Sequence, residues 1–241
     1  TCVYSDIVLP TATWYEKNDL NTSDMHPFIH PLTGAVDPAW EARSDWEIYK
    51  GIAKAFSKVA PEILGLEKDV VLNPIKHDTS NEIAQPFDPK DWKKGECEPI
   101  PGKTMPVVAV VERDFPHVYE RFTALGPLMT SIGNGIKGMT WKTEHEVEHL
   151  KALNGTHAEG ANKGLAKIVT DIDATEVILM MAPETNGEVA VKAWEALGKA
   201  TGRAHQHLAL PKEDEKIRFR DVVAQPRKII SAPTWSGLES E

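Results

Sequence analysis

Apolar runs of strand length alternate with amphipathic segments along this chain, and this alternation constrains its fold more than any other feature. The runs "VYSDIVLP", "DVVL" and "PVVAVVER" are typical of short buried strands, and Pro10 ends the first of them. Apolar residues recur at helical spacing within residues 44–61, 118–132, 143–153, 171–182 and 186–201. We expect the second of these helices to be kinked at Gly126-Pro127. Strands interspersed with helices predict a mixed, helix-rich α/β fold.

Two sequences of the capping-box type predict helix starts, in which a hydroxyl and a glutamate three residues later satisfy free backbone N–H groups. They are Ser44 with Glu47 and Thr185 with Glu188. We expect Pro61 to end the first of these helices, because proline cannot donate a backbone hydrogen bond. The predicted buried face of that helix consists of Ile48, Ile52, Phe56 and Val59.

A polar tract follows the first predicted strand, and residues 11–43 are interpreted as a long ordered loop. In doubly wound α/β sheets, ligands bind beyond the carboxyl ends of strands, which is where this loop would lie. The side chains predicted to bind a ligand there are Glu16, Asn18, Asp19, Asn21 and His26. The competing interpretation is structural, because a long loop must also satisfy its own backbone groups and Asn and Asp often do so.

Composition excludes several classes of function. A net charge of -9 argues against nucleic-acid binding, which requires a basic surface. No apolar run approaches the length of a membrane-spanning helix, so we expect no direct membrane insertion. The two cysteines, Cys2 and Cys97, lie far apart, and a cysteine-held zinc or iron–sulfur site within this chain is therefore not expected.

The segment "HEVEH" matches the HExxH pattern of zinc peptidases, in which two histidines bind zinc and the glutamate activates water. A free-standing zinc hydrolase using His145, Glu146 and His149 is therefore an alternative function. The helical arrangement favours a surface helix instead, because both histidines lie opposite the apolar side of the helix. A second alternative is a non-catalytic interaction domain that binds a partner through the acidic surface.

Long stretches of the chain resemble one enzyme family. "SDIVLPTATWYEKNDLNTSDMHPFIHPLTGAVDPAWEARSDWEIYKGIAKAF" resembles the molybdopterin (bis-MGD) oxidoreductases. "DPKDWKKGECEPIPGK", "VVERDFPHVYERFTALGPLM", "APETNGEVAVKAWEALGKATGR" and "KEDEKIRFRDVVAQPRKIISAPTWSGLE" resemble the alpha subunit of membrane-bound respiratory nitrate reductases. The resemblance covers essentially the whole chain.

The resemblance implies an enzyme that reduces nitrate to nitrite at Mo-bis(molybdopterin guanine dinucleotide), with quinol-derived electrons passing through iron–sulfur clusters. It also implies three partners: the rest of the alpha subunit, an iron–sulfur beta subunit and a haem-bearing membrane subunit. The expected location is the cytoplasmic face of the bacterial inner membrane. The chain lacks the family's iron–sulfur ligands and molybdenum-ligating region, so we expect an interior fragment that is inactive alone and binds no cofactor alone.

The resemblance also predicts a division of the chain. Residues 1–60 would form an end strand, cofactor-side loop and helix of a partial Rossmann-like molybdopterin oxidoreductase domain. Residues 61–225 would be a family-specific α/β insertion, and residues 226–241 would return toward the C-terminal part of the subunit. No catalytic or metal-ligating residue is predicted within the chain.

Overall fold

The computed structural model describes residues 1–23, 26–65, 68–73, 107–136, 139–203, 216, 218–220 and 230–231. The α-helices within these residues are α1 (Asp45–Leu64), α2 (Val118–Phe122), α3 (Leu128–Ser131), α4 (Glu144–Asn154), α5 (Asp171–Met181) and α6 (Gly187–Thr201). The strands are β1 (Asp19–Ser23), β2 (His26–Leu32), β3 (Lys68–Asn73), β4 (Val107–Glu112), β5 (Asn134–Ile136), β6 (Met139–Trp141) and β7 (Ile230–Ser231).

The described strands form three small antiparallel sheets. One has the order β1-β2-β7, and the other two are the pairs β3-β4 and β5-β6. The mixed, helix-rich composition is therefore as predicted, as are the strands at "DVVL" and "PVVAVVER". The parallel sheet of a doubly wound fold is not present among the described strands.

The first predicted strand is wrong in this chain. Residues Cys2–Tyr4 form a 3-10 turn, and the apolar side chains of Ile7 and Leu9 are 80% and 54% exposed. A strand forms only where a neighbouring strand pairs with its backbone. The described residues provide such pairing only at the end of the run, where Thr11 makes a parallel bridge with Arg43.

The long loop predicted for residues 11–43 is also partly wrong. It contains the β1-β2 hairpin, in which Asp19 lies opposite Leu32 and Asn21 lies opposite His30. The strand residues of β1 are mostly polar and lack an alternating apolar pattern, so their strand character depends on backbone pairing rather than on side-chain burial.

Helix α1 begins as predicted, because the Ser44 side chain accepts a hydrogen bond from the Glu47 backbone N–H at 3.3 Å. It does not end at Pro61 but continues to Leu64, since losing one backbone bond is tolerated close to the end of a long helix. The predicted buried face is also wrong: Ile52, Phe56 and Val59 are each at least 40% exposed. The buried positions of α1 are instead Ala53 and Ala60.

The apolar spacing over residues 118–132 predicted one kinked helix, and the structure has two short helices instead. Between α2 and α3, the Leu125 backbone N–H donates to the Ala166 carbonyl at 2.9 Å. The Ile168 N–H donates to the Thr123 carbonyl at 2.8 Å. This strand-like pairing with residues 166–168 replaces the helical hydrogen bonds of residues 123–125. The break between the two helices therefore begins before the expected kink at Gly126-Pro127.

Helices α4, α5 and α6 form as predicted and carry the described apolar core. One cluster joins α6 to the β5-β6 hairpin through Trp141 and Trp194, and the other joins α4 to α5 through Leu150 and Met180. The predicted cap of α6 is wrong by one residue, because the side chain of Asn186, not Thr185, accepts the Glu188 N–H.

Candidate functional site

A cleft of about 220 Å³ lies where residues 17–19 meet the first turns of α1 and α5. The packing of Trp46 fixes this junction: its ring stacks on Phe122 at 4.7 Å, and its Nε1 donates to the Val169 carbonyl at 3.3 Å. Lys50 donates to the same carbonyl at 2.8 Å. The cleft is lined by Lys17, Asn18, Asp19, Ser44, Asp45, Trp46, Asp171, Ala174, Thr175 and Ile178.

Asn18 is one of the residues that line this cleft. Its backbone N–H donates to Asp171 Oδ2 at 3.2 Å, and its side-chain Oδ1 accepts from the Gly34 N–H at 3.3 Å. Its side-chain Nδ2 also lies 3.5 Å from Asp171 Oδ2. The residue therefore joins the polar loop to the N-terminal turn of α5.

Asp19 lies beside Asn18 and is partly neutralised by Lys17. The Lys17 ammonium is 3.1 Å from Asp19 Oδ2 and 2.7 Å from Asp45 Oδ2. The hydrogen bond to Asp45 is the main cause that raises the pKa of Lys17, so the ammonium stays charged. With Asp171 also in the wall, the cleft holds three carboxylates and one ammonium.

Glu16 is close in sequence but serves its own loop. Its carboxylate accepts from the Thr13 N–H at 2.8 Å and from the Ala39 N–H at 3.3 Å. The hydrogen bonds from Thr13 hold the pKa of Glu16 below its usual range. This is the structural role that competed with ligand binding in the sequence interpretation.

The remaining two predicted residues are not among the described residues that line the cleft. Asn21 is exposed on β1, opposite His30 in the hairpin. The backbone of His26 pairs with Ser23 in β2, and the His26 side chain lies outside the described residues. The structure thus brings together Asn18 and Asp19 of the five predicted residues.

Sequence reasoning missed Asp171, whose carboxylate faces Asn18. A local signal marks the start of α5, because Thr170 and Asp173 form a capping box on either side of Asp171. Nothing in the spacing of residues 18 and 171 indicates that they meet, since their contact depends on tertiary packing.

The HEVEH segment does not have the arrangement of a peptidase site. Glu146, the residue required to activate water, is 1% exposed and its carboxylate is 2.7 and 3.0 Å from the Lys192 ammonium. The His145 side chain is 56% exposed, as a surface helix predicts. His149 is only half-buried rather than fully solvated, so that part of the prediction is wrong.

Two family models match the chain. "Molybdopterin oxidoreductase" matches residues 1–55, and "Nitrate reductase alpha chain, domain V" matches residues 132–241. The first match covers the polar loop and the start of α1, so this part of the chain is similar to the molybdopterin oxidoreductases.

Curated relatives match over the whole chain. The respiratory nitrate reductase 1 alpha chain of Escherichia coli is 68% identical over 241 residues, which cover 100% of this chain and 19% of that protein. The respiratory nitrate reductase alpha chain of a Bradyrhizobium species is 52% identical, with 100% of this chain and 21% of the relative covered. The nitrate reductase alpha chain of Bacillus subtilis is 47% identical, with 99% and 20% covered.

The chain belongs to the nitrate reductase alpha chain family. It spans about a fifth of the length of the curated relatives it matches. No helix within the described part of the chain has both the length and the apolar content needed to cross a membrane.

Proposed function

We propose that this chain is a segment of the catalytic subunit of a molybdenum-dependent respiratory nitrate reductase, which reduces nitrate to nitrite with quinol-derived electrons. The observation that carries the proposal is the 68% identity to a respiratory nitrate reductase alpha chain over all 241 residues. No described geometry favours hydrolysis at HEVEH, because Lys192 neutralises the glutamate that would activate water.

We propose that the cleft beside Asn18 and Asp19 faces one ring system of Mo-bis(molybdopterin guanine dinucleotide). The cofactor, when bound, supplies two-electron redox chemistry to nitrate. A volume of about 220 Å³ is below that of a pocket for a whole drug-sized ligand, so one ring fits while the rest lies outside. The indole of Trp46 and the side chain of Ile178 supply apolar wall for such a ring.

The charge of the cleft selects which part of the cofactor it would bind. Three carboxylates facing one ammonium do not suit a pyrophosphate, because like charges repel. Carboxylate oxygens accept hydrogen bonds from N–H groups, which the pterin and guanine edges present. We therefore assign Asp19 and Asn18 to recognition of a nitrogen-rich ring edge, and Glu16 to positioning of the loop. Asn21 and His26 remain predicted ligand-binding residues of the polar tract.

The finer architecture and the assembly are also proposals. Residues 1–60 would complete a Rossmann-like core, residues 61–225 would form the family-specific insertion, and residues 226–241 would lead into the rest of the subunit. The run Ile7–Leu9 exposes its apolar side chains, and its backbone has few hydrogen-bond partners among the described residues. Both observations support the pairing of this run with a strand from elsewhere in the alpha subunit. Alone, the segment would catalyse nothing.

We propose that the whole alpha subunit carries an iron–sulfur cluster and binds an iron–sulfur beta subunit and a haem-bearing membrane subunit. These partners would hold it at the cytoplasmic face of the inner membrane. Support comes from the relatives, several of which are named as respiratory nitrate reductase alpha chains.

The site assignment is tested in the complete enzyme with Asn18→Leu and Asp19→Asn. Each variant should lower both the molybdopterin content per alpha chain and the rate of nitrate reduction. Asp114→Asn is the matched control, because Asp114 is an aspartate that pairs with His117 and Arg121 and does not line the cleft. Wild-type cofactor content and activity in both cleft variants would refute the site assignment but not the family.

A further inference from the structure

Arg220 joins the segment of residues 218–220 to helices α4 and α5. Its guanidinium donates to Asn154 Oδ1 and to Asp173 Oδ1, each at 2.7 Å and each through a different terminal nitrogen. Its backbone N–H donates to Glu176 Oε1 at 2.8 Å. The neighbouring Phe219 is fully buried, so an apolar side chain holds this segment in place together with the polar contacts.

Two buried carboxylates of α5 share the guanidinium of Arg220. Asp173 is 6% exposed and Glu176 is 0% exposed. In the described part of the chain, Arg220 is the only basic residue that forms an ion pair with either of them. A buried carboxylate without a cation is costly, because burial removes its hydration. Arg220 therefore compensates the charge of both carboxylates while it fixes their positions.

The Asp173 carboxylate connects Arg220 to the backbone that precedes α5. While Oδ1 accepts from Arg220, Oδ2 accepts from the backbone N–H groups of Val169 and Thr170, each at 3.0 Å. Because a carboxylate is planar, a charged hydrogen bond to one oxygen also restricts where the other oxygen can lie. The guanidinium thus fixes the acceptor that holds the backbone of residues 169–170.

The walls of the cleft beside Asn18 meet at this backbone. The Val169 carbonyl accepts from Trp46 Nε1 at 3.3 Å and from the Lys50 ammonium at 2.8 Å, both on α1. Two residues further on, Asp171 Oδ2 accepts the Asn18 backbone N–H at 3.2 Å. The backbone of residues 169–171 therefore sets how α1 and the polar loop are placed relative to α5.

We propose that Arg220 is a positioning residue for the cleft beside Asn18: its guanidinium fixes Asp173, and Asp173 fixes the backbone from which Asp171 meets Asn18. Arg220 is not among the described residues that line the cleft, so it acts only through these contacts. The inference rests on the proposed function, in which this cleft faces a ring of the cofactor.

A purely local role for Arg220 makes a different prediction. In a local role, the guanidinium would only dock residues 218–220 against α4 and α5, and its removal would leave Asn18 unchanged. In a positioning role, its removal loosens the backbone before α5 and also the contact between Asp171 and Asn18. The N–H group of Asn18 therefore distinguishes the two roles.

Hydrogen exchange, read by mass spectrometry, makes this distinction in the complete enzyme prepared without molybdopterin, where lost cofactor contacts cannot contribute. In Arg220→Met, the N–H groups of Asn18, Val169 and Thr170 should exchange about tenfold faster than in the wild type, as expected when a hydrogen bond to a charged group is weakened. The N–H of Leu197 should keep its wild-type rate, because this buried residue of α6 belongs to a different apolar cluster.

Two further variants separate charge from geometry. Arg220→Lys keeps the positive charge, but a single ammonium does not reproduce the planar fork that donates to Asn154 and Asp173 together. It should restore most of the wild-type protection, leaving exchange of the Asn18 N–H about threefold faster than in the wild type. Arg121→Met is the matched control and should show wild-type exchange, because Arg121 is an exposed arginine that pairs with Asp114.

Wild-type exchange of the Asn18 N–H in both Arg220 variants would overturn the proposal, as would equal acceleration in Arg121→Met. The molybdopterin content per alpha chain is measured separately in the cofactor-loaded enzyme, where Arg220→Met should lower it as Asn18→Leu does. Faster exchange with a wild-type molybdopterin content would support the positioning role and refute the assignment of the cleft to the cofactor. The inference and the proposed function can therefore fail independently.

Discussion

Removal of the ammonium of Lys192 should destabilise the helical part of the chain by about 3 kcal/mol. The Glu146 side chain is 1% exposed, and its carboxylate lies 2.7 Å from the Lys192 ammonium. Breaking a buried ion pair by removing one partner costs about 3–5 kcal/mol, because the remaining charge stays buried. Because the Lys192 side chain is 27% exposed, water can reach part of the space that it vacates. The loss of unfolding free energy should therefore lie at the lower end of that range.

A double-mutant cycle tests this reasoning. Lys192→Met should cost about 3 kcal/mol, whereas Glu146→Gln should cost about 1 kcal/mol because it leaves no buried charge. The double variant Lys192→Met/Glu146→Gln should cost about 2 kcal/mol rather than the sum of about 4 kcal/mol, which corresponds to a coupling free energy of about 2 kcal/mol. The free energy of unfolding is measured by urea denaturation of the 241-residue chain at pH 7, followed by circular dichroism.

The reasoning would be refuted if Lys192→Met cost less than about 1 kcal/mol and the free-energy changes of the single variants added up to that of the double variant. That result would mean that Glu146 is hydrated in solution. It would also remove the argument that Lys192 prevents Glu146 from acting as a base.

Further predictions concern the hairpin, the core and the pH dependence. Gly133→Ala should cost at least about 2 kcal/mol of unfolding free energy, because φ is +99° and the new Cβ would lie 2.0 Å from a backbone carbonyl oxygen. Gly126→Ala, where nothing lies within 4 Å, should change it by less than about 0.5 kcal/mol, and equal effects would contradict the hairpin geometry. Leu150→Ala should cost about 2–5 kcal/mol in the same denaturation assay, because the side chain is fully buried. Ile52→Ala should cost under about 1 kcal/mol, because that side chain is 48% exposed, and a larger cost would restore the predicted face of α1. Glu188→Gln should flatten the pH dependence of unfolding free energy between about pH 4.5 and pH 2, and an unchanged acid titration would contradict the ion pairs described for it.

The sign of the last prediction follows from the Glu188 pKa. Burial would raise this pKa, but hydrogen bonds from Lys216, His145 and Lys192 outweigh burial and lower it from 4.5 to about 2. A carboxylate whose pKa is lower in the folded state contributes stability above its unfolded pKa. That contribution is lost as the pH falls toward the folded value.

Helices were predictable where their signals were local. The spacing of apolar residues located α4, α5 and α6, and Ser44 marked the start of α1. Strand pairing was less predictable, because a strand depends on a partner that is distant in sequence. The run before Pro10 has an apolar strand pattern but few backbone partners, whereas the polar residues of β1 form a strand because β2 pairs with them.

In the candidate site too, residues with a local sequence signal were predicted and residues brought in by a distant contact were not. Asn18 and Asp19 were predicted because turn-forming polar residues are concentrated in one tract. Asp171 was missed because its contact with Asn18 joins residues more than 150 positions apart, and no local pattern encodes such a contact. The same limit hid the pairing of Glu146 with Lys192, which decides against hydrolysis at HEVEH.

An antibody raised against this chain can show whether the chain is part of a nitrate reductase alpha subunit, by immunoprecipitation from cells grown without oxygen on nitrate. We expect the antibody to precipitate a polypeptide about five times larger than 26.7 kDa from the membrane fraction, together with molybdenum and nitrate-reducing activity. A soluble polypeptide near 26.7 kDa, without molybdenum or nitrate reduction, would contradict it.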